Sequence, residues 1–286
     1  MQDDELRQSS NVEDRRGISG ATTGGLGIGA IVVLTLIGWA TGIDPRALIG
    51  GAEVVTGAGQ QTQQAQVAPG TPTDEMGKFV ARVLGETEDV WSAELPRQTG
   101  KQYSKPILVL YSGVTRSGCG TAQSAMGPFY CPTDQKLYLD TAFFQDMQKK
   151  MGGGGEFAYA YVIAHEVGHH VQNLVGLLPK VQQAEREQQD PKVANSLSVR
   201  TELMADCLAG VWANKMNARH HNIDDNDLRQ GVATASAIGD DRLQQQAGRG
   251  AVVPDSFTHG SSAQRVQWLT TGFKSGTVAG CNTFQQ

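Results

Sequence analysis

The stretch EFAYAYVIAHEVGHHVQNLVG, residues 156–176, constrains the fold more than any other part of this 286-residue chain. It is strongly apolar and reads as a buried helix, yet it carries His165, Glu166, His169 and His170. Uncompensated His and Glu side chains are costly to bury, so the fold has to supply them with partners. His165 and His169 stand four apart and project from one helix face, about 6 Å apart at Cβ, where two imidazoles can meet one metal ion. Glu166 is rotated about 100° from His165 and need not bind the metal; it can reach a water in an open coordination position and act as general base. Zinc fits this set best, because it takes His and carboxylate ligands and lowers the pKa of a bound water towards 7. His170 points off the ligand face and reads as a neighbour of the site or a surface residue.

A catalytic zinc needs a third protein ligand. The extended metzincin pattern requires Gly at position 172 and His at position 175, where this chain has Gln172 and Val175, so that class is excluded. The candidate lies in VRTELMADCLAGVW, which predicts a second helix with Glu202 and Asp206 on one face. Glu202 is positioned to bind the metal, while Asp206, one turn on, can orient a ligand histidine through its outer ring nitrogen. Apolar residues crowd both, which argues against a solvated acidic face.

The rest of the chain sets the frame for these helices. The formal net charge of −5, without a dense basic run or phosphate loop, gives no footprint for nucleic acid. Residues 18–43 carry no charge and read as one transmembrane helix. Arg15 and Arg16 before it favour a cytoplasmic N-terminal segment, 1–17, and place the body outside the cytoplasm. The Gln-, Gly- and Pro-rich stretch that follows makes 44–73 a flexible linker, and a helical pattern from Asp74 opens a domain over 74–286. ILVLY (107–111) and KLYLD (136–140) predict a small sheet, with KLYLD a candidate edge strand for an extended peptide. Cys119, Cys131, Cys207 and Cys281 lack C-x-x-C spacing and suggest two disulfides. Three connectivities are possible; loop lengths favour Cys119–Cys131 and Cys207–Cys281. No oligomeric state is assigned.

AHEVGHHVQNLVG, ELMADCLAGVW and FTHGSSAQRVQWL together resemble the YpfJ-type neutral zinc metallopeptidases of bacteria, and the resemblance runs over nearly the whole chain. It implies a gluzincin-like enzyme with His165, His169 and Glu202 as Zn²⁺ ligands and Glu166 as base. THGSSAQR, with His259 six residues before Arg265, is also similar to the Thr-His-Pro segment of HtpX-type membrane metallopeptidases, although Gly260 stands in place of the proline. That likeness makes His259 a candidate oxyanion donor and Arg265 a residue that holds the segment; Tyr130, Tyr138 and Tyr161 are the alternative donors. The expected fold class is α+β: a mainly helical zincin-like domain with a small sheet, plus one N-terminal transmembrane helix. The expected function is peptide hydrolysis by a single-pass protein of the bacterial inner membrane with a periplasmic catalytic domain. A tethered, non-catalytic zinc-containing scaffold and a zinc amidase acting on the cell envelope are the rival readings.

Overall fold

The computed structural model describes residues 1, 3–16, 70–150, 154–246 and 252–285. After β1 (Val12–Asp14) come α1 (Glu75–Thr99) and five strands: β2 (Ile107–Tyr111), β3 (Val114–Ser117), β4 (Gly120–Gln123), β5 (Phe129–Cys131) and β6 (Lys136–Asp140). Helices α2 (Ala142–Lys150), α3 (Glu156–Leu174), α4 (Leu177–Glu187), α5 (Pro191–His220), α6 (Asp225–Ala237), α7 (Asp240–Gln246) and α8 (Ser262–Ser275) complete the chain. The architecture is mostly helical with a small sheet. Met1–Arg15 and Pro69–Gln286 form one compact unit; Arg16–Ala68 form a second, which lies almost wholly outside the described residues.

Local chemistry sets the helix starts. Asp74 caps α1 by accepting from the Gly77 N–H at 3.0 Å, and Asp190 caps α5 ahead of Pro191, which needs no N–H partner at a first helical position. Ser261 and Gln264 close a reciprocal capping box at the start of α8. The apolar α3 packs against α1, α4, α5 and α6, and α8 lies against α5 and α6. Cys207–Cys281 ties the C-terminal segment to α5, and Cys119–Cys131 ties the β3–β4 hairpin to β5.

The main sheet has the order β1-β2-β6-β5, with β1, β2 and β6 parallel and β5 antiparallel to β6. KLYLD is therefore an interior strand, hydrogen-bonded on both sides, and not the expected edge; β5 is the edge. Periodicity identifies a buried strand but not its neighbours, which is why that expectation failed.

Two further expectations are overturned. The proposed span, 18–43, and most of the linker, 44–73, lie outside the described residues, and among the described residues no helix is long and apolar enough to cross a membrane. The flanks of that stretch share one body. Val12 of β1 pairs with Leu108 of β2, Gly70 bridges back to Val12, and Arg82 binds Asp3 at 2.6 Å. Buried Glu88 accepts from Ser9 (2.6 Å), Asn11 (2.7 Å) and Arg7 (2.8 Å). Burial pushes the Glu88 carboxyl up, but these hydrogen bonds hold it below the usual carboxylate range. One span between residues 16 and 70 would separate these partners by about 30 Å of hydrocarbon, whereas paired strands lie about 4.8 Å apart. The single-pass anchor and the inner-membrane localisation are therefore set aside.

α5 and α8 cross without room for a side chain. A Cβ at Gly272 would lie 1.8 Å from the Cys207 carbonyl oxygen and 3.0 Å from the Val211 nitrogen. Gly272→Ala should therefore force the helices apart and cost about 3 kcal/mol of stability. Urea unfolding monitored by circular dichroism checks this; an unchanged midpoint would show that the crossing has slack.

Candidate metal centre

The two histidines of α3 face Glu202 on α5. His165 Nε2 lies 3.1 Å from Glu202 Oε2 and His169 Nε2 lies 3.4 Å from Glu202 Oε1. Ligand atoms of these three residues all fall within 4.8 Å of one another. Four-coordinate zinc with bonds of about 2.05 Å holds adjacent ligand atoms about 3.3 Å apart, close to the two imidazole–carboxylate separations. The helices can approach because α3 is bare at Gly168, where a Cβ would lie 3.0 Å from the Ala205 carbonyl oxygen.

Each imidazole is oriented from behind. His165 Nδ1 is 2.9 Å from Asp206 Oδ1; a carboxylate only accepts, so Nδ1 carries a proton, and Nε2, which faces Glu202, is the nitrogen that would turn a lone pair to a metal once its own proton is displaced. For His169 the same task falls to Gln172, whose Oε1 is 2.9 Å from Nδ1 while its Nε2 donates to the Thr201 carbonyl at 2.7 Å. Asp206, fully buried, also accepts from Tyr161 Oη (2.5 Å) and from Arg265 Nε and Nη2 (both 2.9 Å). Burial alone would raise the Asp206 carboxyl; Arg265 and His165 outweigh it and hold it at about 2. Burial would likewise depress His165, but Asp206 and Glu202 hold it up at about 10. Glu202 is driven well below the carboxylate range, the two histidines overcoming the cost of burial. Metal and protons therefore compete for these donors.

Glu166 is buried beside the cluster. Burial raises its carboxyl, the two histidines and the Tyr130 backbone N–H lower it, Glu202 raises it, and the net shift is upward. That brings a carboxylate closer to the pKa a general base needs. Glu166 and the three cluster residues line a cavity of about 590 Å³, which β5, α4 and His259 also border. The His259 side chain is half-exposed, its Nδ1 3.2 Å from Asp240 Oδ1, and this hydrogen bond raises its pKa over the effect of burial. Arg265 is buried in the Asp206 cluster. Of the three tyrosines, Tyr138 binds Asp134 and packs in a separate cluster. Tyr161 Oη is engaged by Asp206, and Tyr130 Oη by His170 (3.0 Å) and Asn173 (3.0 Å).

Of the two expectations for His170, a neighbour of the site or a surface residue, the structure excludes the surface one. This histidine is completely buried, and its Nε2 lies 2.6 Å from the Ser104 carbonyl while Nδ1 meets Tyr130 Oη. It thus ties α3 to β5, the strand whose Tyr130 N–H holds Glu166. Gln172 was also missed as an orienting residue, although its i,i+3 spacing from His169 is a legible signal.

The family described as "Putative neutral zinc metallopeptidase" matches residues 1–284. The chain is 47% identical to the uncharacterised protein YpfJ of Escherichia coli (strain K12) over 287 aligned residues, 97% of this chain and 96% of that protein. It is 44% identical to the uncharacterised protein Rv2575 of Mycobacterium tuberculosis (strain H37Rv) over 205 residues, 68% of this chain and 66% of that one. No solved structure matches.

The geometry makes separate demands on ligands and on the residues behind them. Glu202→Ala and His169→Ala should each abolish stoichiometric zinc, whereas Asp206→Asn should keep zinc but weaken it about 10- to 100-fold. Competition with a chromophoric chelator checks both. Stoichiometric zinc in Glu202→Ala would remove Glu202 from the ligand set.

Proposed function

The chain belongs to the neutral zinc metallopeptidase family, and from that premise we propose that it hydrolyses peptide bonds with Glu166 as base. The observation that carries this reading is the position of the three-donor cluster. It forms the wall of an open cavity, with a buried carboxylate of raised pKa beside it. A metal kept for stability alone needs neither the cavity nor the carboxylate.

His165, His169 and Glu202 would hold Zn²⁺, which would supply Lewis acidity towards the scissile carbonyl and towards water. Glu166 takes the proton of the attacking water on its carboxylate and passes it to the leaving amine. His259, with Nδ1 held by Asp240, keeps Nε2 for the oxygen that gains negative charge. Tyr130 and Tyr161 are poorer donors because their hydroxyls are committed to buried partners. An extended peptide lies along the outer edge of β5, whose Phe129 and Tyr130 border the cavity and whose Tyr130 carbonyl is open to it while the Tyr130 N–H is held by Glu166. The substrate class is peptide or protein.

Glu166→Gln should retain fold and zinc while losing hydrolysis by about 10³-fold, since the amide cannot take the proton. Turnover of a quenched fluorescent peptide, with zinc measured on the same sample, checks this; comparable turnover would remove Glu166 from the mechanism. His259→Ala should lower kcat by about 10²- to 10³-fold with little change in KM, zinc content or Tm. Near-normal kcat in the folded variant would exclude His259 as the oxyanion donor.

A further inference from the structure

The cavity has a polarity of its own, set by α4. Leu178, Val181, Gln182 and Glu185 all line it, and their spacing of three, four and seven puts them on one helix face. Leu178 and Val181 are closely packed, at 7% and 6% exposure, and provide an apolar strip. One turn beyond Val181, about 6 Å along the axis, the strip ends at the half-buried Glu185. Its carboxylate makes no hydrogen bond or ion pair with any described residue. Arg186, next in sequence, is exposed and acts on it only from a distance.

The cations that border the cavity are in a different position. Arg265 is matched to Asp206 and His259 to Asp240. Glu185 is thus a carboxylate awaiting a counter-charge, at the far end of an apolar track. Burial raises its carboxyl, Arg186 opposes this, and Glu202 adds to it, so a cation beside Glu185 would relieve an existing cost. Lys and Arg side chains have the matching form: an apolar stem that lies along hydrophobic surface and a cationic end that needs a carboxylate. A bare α-amine would use the carboxylate but not the track.

We infer that the α4 face is a specificity subsite for a basic side chain of the substrate, with Leu178 and Val181 against its stem and Glu185 paired to its charge. This rests on the peptidase reading and names the substrate class for the same cavity. Glu185 selects the substrate and takes no part in bond cleavage.

Binding and cleavage are measured separately with nine-residue peptides that carry one central Lys, Arg, norleucine or Glu in degenerate neutral flanks. In zinc-loaded Glu166→Gln protein, the Lys and Arg sets should bind about 10-fold more tightly than the norleucine set. Adding Glu185→Gln should bring that ratio close to 1, and Glu185→Lys should make the Glu set the tightest. The wild type should show the same order in kcat/KM, expressed mainly in KM. Equal binding of the Lys and norleucine sets, no saturable binding of either, or a ratio insensitive to Glu185→Gln would overturn the subsite. Charge-selective binding without cleavage by the wild type would support the subsite and overturn the peptidase reading alone.

Discussion

Buried Asp206 is the fixed point of this structure. It has no solvent contact, and it accepts from His165, Tyr161 and, bidentately, Arg265. These residues lie on α3, α5 and α8, so one carboxylate joins three helices and aims one ligand histidine. Removing one partner of such a buried pair leaves an uncompensated charge, a loss of about 3–5 kcal/mol. The glycine at the α5–α8 crossing serves the same end, since Gly272 lets the helix that carries Arg265 press onto the helix that carries Asp206.

The two histidines of the cluster are held by different chemistries. His165 is backed by a charge and His169 by an amide, Gln172, that is itself fixed by the Thr201 carbonyl. A carboxylate raises the basicity of the imidazole it backs more than an amide does. The two nitrogens that would face a metal are thus unequal. His170 works on the other side of α3, where its contacts with Ser104 and Tyr130 fix the helix against β5. The base and the strand that borders the cavity are thereby set in one frame.

Much of this site was legible because its signals are local. His165, Glu166 and His169 are read from one helical turn, and Glu202 and Asp206 from a second, with apolar neighbours that rule out a solvated face. Tertiary partners were not legible. The role of His170 depends on a carbonyl and a hydroxyl 66 and 40 residues away, and no spacing announces them. β1 has three residues, two of them acidic, and exists only because β2 offers an edge. The same limit produced the mistaken membrane topology. Hydropathy measures how apolar a stretch is, but not whether the residues on either side of it share a sheet.

Charge balance explains why so many ionisable groups are buried together. Asp206 and Arg265 cancel each other, and so do His259, when protonated, and Asp240. Glu166 and Glu202 remain, two carboxylates whose mutual repulsion contributes to the raised pKa of the base. A divalent cation held by neutral His165 and His169 and ionised Glu202 would bring this inner set to neutrality, and burial of the site would then carry no net charge. Glu185 is a further carboxylate on the cavity wall, without a hydrogen bond or ion pair to any described residue, and its charge is the one the inferred subsite would set against a cationic substrate group.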